Sequence, residues 1–145
     1  MPRVRPGDAA DLPILRRIQA AAIAEPWPEL LELAAGHGPR LRVVETTRPV
    51  GYAVVLTADC AAYLPELAVE PAVQGEGLGS RLLESVVDEL VIEGTERIRL
   101  TARAADDRTR SFYEGHGFEA VDRVTDHFAA DDGVVYEQIP EPADT

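Results

Sequence analysis

The chain has 145 residues, 46% of them apolar, with 26 acidic and 14 basic side chains and a formal net charge of −12. That length suits a single α/β-sized domain, residues 1–145, able to bury a core without staples, and the lone Cys60 excludes an internal disulfide and fits a reducing cytoplasm. So acidic a chain repels nucleic acid and anionic membrane, and its field attracts a cationic amine.

Val4-Arg5 reads as a short strand, and Asp11 to Ala24 as a helix with Leu12, Leu15, Ile18, Gln19 and Ala22 near one face and Arg16 and Arg17 on the other. Around Arg3, Arg5 and Asp8 there is no apolar stretch of the kind a secretion signal needs. A second helix runs from about Pro28 to Ala35 and is stopped by Gly36. Leu41 to Thr46 and Val50 to Thr57 form a hairpin around Arg48-Pro49, and Ala61 to Val69 is the next strand. The longest uncharged apolar runs, such as Tyr52 to Thr57, are strand-length and fall well short of the roughly 20 residues of a membrane span. Cys60 precedes a strand with no His nearby in sequence, which argues against a thiol nucleophile.

The most informative segment follows. The apolar strand Leu67-Ala68-Val69 leads through Gln74 into Gly75-Glu76-Gly77-Leu78-Gly79-Ser80 and then an amphipathic helix with Leu78, Leu82, Val86 and Leu90 at four-residue steps, ended by Gly94. Glycines let backbone N–H groups approach a ligand, and the first turn of a helix presents unpaired donors at the positive end of its dipole, which makes this an anion site suited to a phosphate or pyrophosphate. The spacing G-x-G-x-G departs from the dinucleotide fingerprint G-x-G-x-x-G. All 14 basic residues are Arg, so a Walker A lysine and lysine Schiff-base chemistry are both excluded.

Beyond it, Arg97 to Ala102 is a strand, Asp106-Asp107 caps a helix ending at Gly115 or Gly117, and Phe118 to Thr125 pairs with Val134 to Ile139 as a last hairpin. The tail from Pro140 is expected to fray. The order β-α-α-β-β-β-α-β-α-β-β is mixed α/β (α+β), with a mostly antiparallel central sheet and a crossover at the glycine loop.

Val69-x-Pro71-x-x-Gln74-Gly75-x-Gly77-Leu78-Gly79-Ser80 resembles the acetyl-CoA pyrophosphate loop of the GNAT superfamily of N-acetyltransferases, Q/R-x-x-G-x-G/A, with Gln74, Gly77 and Gly79 at its fixed positions. Val4 to Leu12 is similar to that family's opening, and Ser111-Phe112-Tyr113-Glu114-Gly115-His116-Gly117-Phe118 to its FYE-x-x-GF helix end, so the resemblance spans about residues 3–139. The cofactor region is most like the branch that acetylates the N-terminal alanine of a ribosomal protein. The resemblance implies a sheet of 6–7 strands splayed at the cofactor and flanked by about four helices. It implies pyrophosphate held by the N–H groups of Gly75, Glu76, Gly77, Leu78, Gly79 and Ser80, with Gln74 orienting the loop. Backbone groups of Leu67, Ala68 and Val69 would meet the pantetheine arm. Asp106 stands where many relatives carry an Asn on the cofactor, and is alternatively a helix cap; Arg110 would reach a phosphate or lie in solvent.

By the same resemblance Tyr113 is the acid that protonates the leaving thiolate. The ribosomal branch carries a Glu on the strand after the cofactor helix where this chain has Thr101, which cannot serve as base. Among side chains Glu66 is the first candidate for that role and His127 the second, with water relayed to solvent as the remaining alternative. No metal is expected, because the three His are scattered. The implied activity is acetyl-CoA-dependent transfer to a primary amine by direct attack in a ternary complex. The acceptor is a small amine, a protein N-terminus or a lysine, bound by Glu25 to His37 and the loop Asp126 to Gly133, with Trp27 and Phe128 as candidate walls. A homodimer is left open. A non-catalytic acyl-CoA sensor is the rival reading; a hydrolase using Ser80 lacks G-x-S-x-G. Acidity together with complete replacement of Lys by Arg points to a salt-loving source, with a high-GC genome as the competing explanation.

Overall fold

A computed structural model describes residues 1–129 and 131–141. Its strands are β1 (Arg3–Pro6), β2 (Arg40–Glu45), β3 (Pro49–Ala58), β4 (Ala61–Val69), β5 (Arg97–Arg103), β6 (Glu119–Phe128) and β7 (Asp131–Gln138). Its helices are α1 (Leu12–Ala22), α2 (Pro28–Ala35), α3 (Leu78–Ile92) and α4 (Asp107–Gly115). The order is the one read from the sequence. The strands lie in a seven-stranded sheet in the order β1-β2-β3-β4-β5-β7-β6. Pairings β1–β2, β2–β3, β5–β7 and β6–β7 are antiparallel, and β4–β5 is parallel. Among the described residues no helix is long and apolar enough to cross a membrane. The frayed tail expected from Pro140 falls largely on residues 142–145, outside the described range.

The chain packs as two compact units, Met1–Leu56 with Glu66–Glu89, and Thr57–Pro65 with the chain from Leu90 on. In the first, α1 begins after a reciprocal cap: Asp8 accepts from the Ala10 N–H at 2.9 Å and Asp11 accepts from the Asp8 N–H at 3.0 Å. The helix ends at Ala22, two residues before the sequence reading, because Ile23 turns extended. Pro28 at its first position and Gly36 after its last residue fix α2 at the expected bounds. Leu15 and Ile18 of α1, Leu30, Leu31 and Ala34 of α2, and Leu41, Val43, Tyr52 and Val54 of the sheet bury one core. Each fully buried aliphatic there contributes about 1.5–3 kcal/mol. Glu89 of α3 takes both Arg40 and Arg42 of β2, at 2.7 and 2.9 Å.

In the second unit Ile98, Leu100 and Ala102 of β5, Val134 and Tyr136 of β7, and Phe118 are buried. The β3–β4 turn holds Asp59 at φ 51° and Cys60 at φ 66°, positive at both central positions as a right-twisted two-residue hairpin requires. Cys60 is exposed. The last hairpin corrects the sequence reading. β6 and β7 run on to Phe128 and Asp131, so most of the expected loop from Asp126 to Gly133 is strand, interrupted by a bulge at Asp126. An edge strand with charges along it, as in Asp122, Arg123 and Asp126, resists pairing with other chains.

Candidate functional site

The glycine loop belongs to the first unit. Gly75 and Gly77 stand at φ +91° and +84°, where only glycine is free of strain, and a Cβ at either would meet nothing within 4 Å. The space beside these backbones is thus open to a ligand. Helical bonding in α3 starts with the Arg81 N–H on the Gly77 carbonyl at 3.0 Å, which leaves the N–H groups of Leu78, Gly79 and Ser80 without an intrahelical acceptor. Leu78 is buried and pins the helix start, while Glu76 is exposed beside it. The side-chain amide of Gln74 donates to the Val69 carbonyl at 3.0 Å, tying the start of the loop to the end of β4. That bond takes up a lone pair of Val69 that the sequence reading reserved for pantetheine. Alternate glycines, N–H groups without an intrahelical acceptor and a positive dipole end together fit a pyrophosphate.

Glu66, the first candidate for the base, has both carboxylate oxygens engaged. It is buried, at 6% exposure, and three donors fill it: Gln19 Nε2 and the Tyr52 hydroxyl on Oε1, both at 2.8 Å, and the Trp27 backbone N–H on Oε2 at 2.9 Å. Burial, with the adjacent Glu66 charge, pushes the Tyr52 hydroxyl well above the usual phenol range. Three elements thus converge on one carboxylate: α1, the α1–α2 connection and β3. Sequence reasoning missed Gln19 and Tyr52 as its partners. The available signal was Gln19 itself, a polar residue on the apolar face of α1. Leu67 and Ala68 lie on β4 with Glu66, Ala68 buried and Leu67 half-buried. Trp27 is exposed.

The second unit holds the candidate acid. Tyr113 lies on α4 among Phe112, Phe118 and Tyr136, with ring centroids 5.3, 5.9 and 6.3 Å away. Among the described residues, the hydroxyls of Tyr52, Tyr63 and Tyr136 have protein partners and that of Tyr113 has none. Burial first, then the Asp106 carboxylate and the Tyr63 hydroxyl, push Tyr113 well above the usual phenol range, so it carries its proton at neutral pH. The helix end folds Phe118 back, its N–H on the Tyr113 carbonyl at 3.1 Å.

Asp106 acts as the N-cap of α4, accepting from the Thr109 N–H at 3.1 Å. Arg110 is half-buried and bonded within the protein: its Nε donates to the Tyr136 hydroxyl at 3.0 Å and its Nη1 to the Ala104 carbonyl at 3.1 Å. Tyr136 in turn donates to Glu114 at 2.7 Å, so this guanidinium is committed to holding α4 on β7. Thr101 shares a 2.7 Å hydrogen bond with the Tyr63 hydroxyl. His127 is exposed on β6, and Phe128 beside it carries the Arg103 guanidinium over its ring at 5.0 Å. Among the described residues no cluster of three or more His, Cys, Asp or Glu is placed to hold a metal.

Known proteins agree with this architecture. Residues 12–118 match the acetyltransferase (GNAT) family. A [ribosomal protein bS18]-alanine N-acetyltransferase of Escherichia coli (strain K12) is 30% identical over 129 residues, covering 87% of this chain and 86% of that protein. The mycothiol acetyltransferase of Beutenbergia cavernae is 38% identical over 55 residues, 38% of this chain and 18% of that protein. The crystal structure of the Escherichia coli ribosomal-protein-S18-alanine N-acetyltransferase superimposes with a TM-score of 0.89 at 23% identity over 100% of this chain and 99% of that one. An Elizabethkingia anophelis GNAT family acetyltransferase with acetyl-CoA bound superimposes with a TM-score of 0.83 at 16% identity over 96% and 98%. The match extends over well more than half of the sequence, and the chain belongs to the acetyltransferase (GNAT) family.

Proposed function

We propose that this protein acetylates the α-amine of a protein or peptide N-terminus by direct transfer in a ternary complex. As a GNAT acetyltransferase it is an N-acetyltransferase that draws its acetyl group from acetyl-CoA. The acceptor class is favoured by the 30% identity, over most of both chains, to an enzyme named for an N-terminal alanine. In this reading the N–H groups from Gly75 to Ser80 hold the pyrophosphate, with Gln74 bracing the loop. Leu67 and Ala68 offer main-chain groups to the pantetheine arm. Tyr113 protonates the departing thiolate.

The observation that carries the catalytic reading is the Tyr113 hydroxyl, protonated and without a protein partner among the described residues, on a helix where packing alone would be served by phenylalanine. It also favours an enzyme over a sensor, which has no use for an acid. Glu66, filled by three donors, is assigned to positioning: it holds the Trp27 backbone, and with it the connection into α2, in one place. Asp106 and Arg110 keep α4 in place and are not assigned to the cofactor.

The test offers acetyl-CoA with peptides that begin with Ala, with N-terminally blocked peptides carrying lysine, and with small amines, reading thiol release and the acetylated position by mass spectrometry. Transfer to the unblocked α-amine is expected. Transfer confined to lysine or to small amines would overturn the acceptor class, and thiol release with no acylated amine would overturn the transferase reading.

A further inference from the structure

The packing of the last hairpin brings one imidazole, that of His127, against Thr101 of β5. We infer that His127 takes the proton from the acceptor ammonium, an assignment that rests on the transferase reading above. Thr101 has no basic group, and its hydroxyl is already bonded to Tyr63. Glu66 has both oxygens engaged. An acceptor amine that is mostly protonated near pH 7 still has to lose a proton before it can attack.

Three features bring His127 to Thr101. On β6, Val124 pairs with Gly133 and Phe128 with Asp131, so Thr125, Asp126 and His127 face the single residue Asp132. Asp126 takes up the excess at φ 54°, and its N–H is fastened to the Asp132 carboxylate at 2.9 Å. A bulge of this kind re-aims the side chain that follows it. Gly133 supplies the room. A Cβ there would stand 2.8 Å from Thr101 Cγ2 and 3.0 Å from both Cβ and Cδ2 of His127, closer than side chains tolerate. Strand β7 is therefore bare where the imidazole and Thr101 converge, and the base has moved from β5 to the neighbouring hairpin. Tyr63 is bonded to that same Thr101, so the candidate acid's polar neighbour and the imidazole meet at one residue within one unit.

The charged and titratable groups around the imidazole are Asp126 on its own strand, Asp131 and Asp132 on β7, Arg123 paired to Asp132 at 2.9 Å, Arg103 over Phe128, and Tyr63 beyond Thr101. The protons balance. His127 takes the first proton of the ammonium and releases it to solvent. The amine lone pair forms the N–C bond; as the C–S bond breaks, Tyr113 gives its proton to sulfur and regains one from the amide nitrogen.

The experiment compares His127→Gln, with His127→Asn alongside should the glutamine disturb the bulge, against the unaltered protein from pH 6 to 9.5, using the α-amine peptide that serves as acceptor. At pH 7 kcat should fall roughly 10²-fold with the KM for acetyl-CoA unchanged. The deficit should shrink by about six- to tenfold by pH 9, where an α-amine has lost its own proton. A role in packing would lower the rate by the same factor at every pH, and that result, or a loss under threefold at pH 7, overturns the assignment while leaving the transferase reading intact. An unaltered protein that transfers acetyl to no amine overturns both.

Discussion

Replacing Glu66 with Gln keeps the shape of the side chain and reverses one of its hydrogen-bonding atoms. Whichever way the amide turns, its NH₂ meets a donor: the Trp27 N–H on one side, or Gln19 Nε2 and the Tyr52 hydroxyl on the other. The less costly orientation leaves the part-buried Trp27 N–H unpaired, at about 1 kcal/mol, and the other two bonds lose the strengthening a charged acceptor brings, at about 0.5–1.5 kcal/mol each. A total of about 2–4 kcal/mol is expected, against a stability of about 5–15 kcal/mol for a domain of this kind. For this length the melting temperature should drop by roughly 4 to 16 °C. Urea titration with unchanged slope, read alongside thermal melting, measures it. Tyr52→Phe should cost about 1 kcal/mol by itself, and the double variant should fall short of additivity because the two groups touch. If Glu66→Gln melted within a degree of the unaltered protein and the pair added fully, the three-donor arrangement would be wrong.

Tyr113→Phe should lower kcat about 10²-fold with acetyl-CoA affinity retained. Because the hydroxyl has no protein partner among the described residues, stability should change by under about 0.5 kcal/mol, in contrast to Tyr52→Phe. Since the Tyr113 pKa is raised, the acid stays protonated above the usual phenol range, so no alkaline fall in kcat below pH 10 should trace to it; a fall abolished by the Phe variant would contradict this. Gly77→Val forces a branched residue to φ +84° and fills the open space beside the loop, so calorimetry should show acetyl-CoA binding weakened at least tenfold; unchanged affinity would remove the loop from the site. With a net charge of −12, added salt should raise the melting temperature, and a melting temperature flat from low to molar salt would count against the salt-loving reading.

The order of elements was legible because each carries its own local punctuation. Pro28 and Gly36 bracket α2 to the residue, and Gly94 closes α3 with the Thr95 N–H on the Leu90 carbonyl. The glycine loop was legible for the same reason, since its conformation is written in adjacent residues. What failed was long-range. Glu66 finds its partners 14, 39 and 47 positions away, and no periodicity announces a hydrogen bond across that separation. Arg110 looked free because Tyr136, its acceptor, lies 26 residues on. The bulge at Asp126 is held by a carboxylate six residues later and carries neither Gly nor Pro to mark it.

The ion pairs of the described surface have a chemical consequence for a protein that handles a thioester. Arg5 on Asp11, Arg40 and Arg42 on Glu89, Arg48 on Glu70 and Arg123 on Asp132 all use guanidinium groups. Uncatalysed acylation by acetyl-CoA needs a nitrogen with a free lone pair, which lysine exposes in a small fraction of molecules and arginine essentially never does. Lysines at those positions would be neutralised one by one in a pool of the protein's own cosubstrate, stranding their carboxylate partners. With arginine throughout, the contacts that join β2 to α3 and brace the opening strand are inert to the reagent.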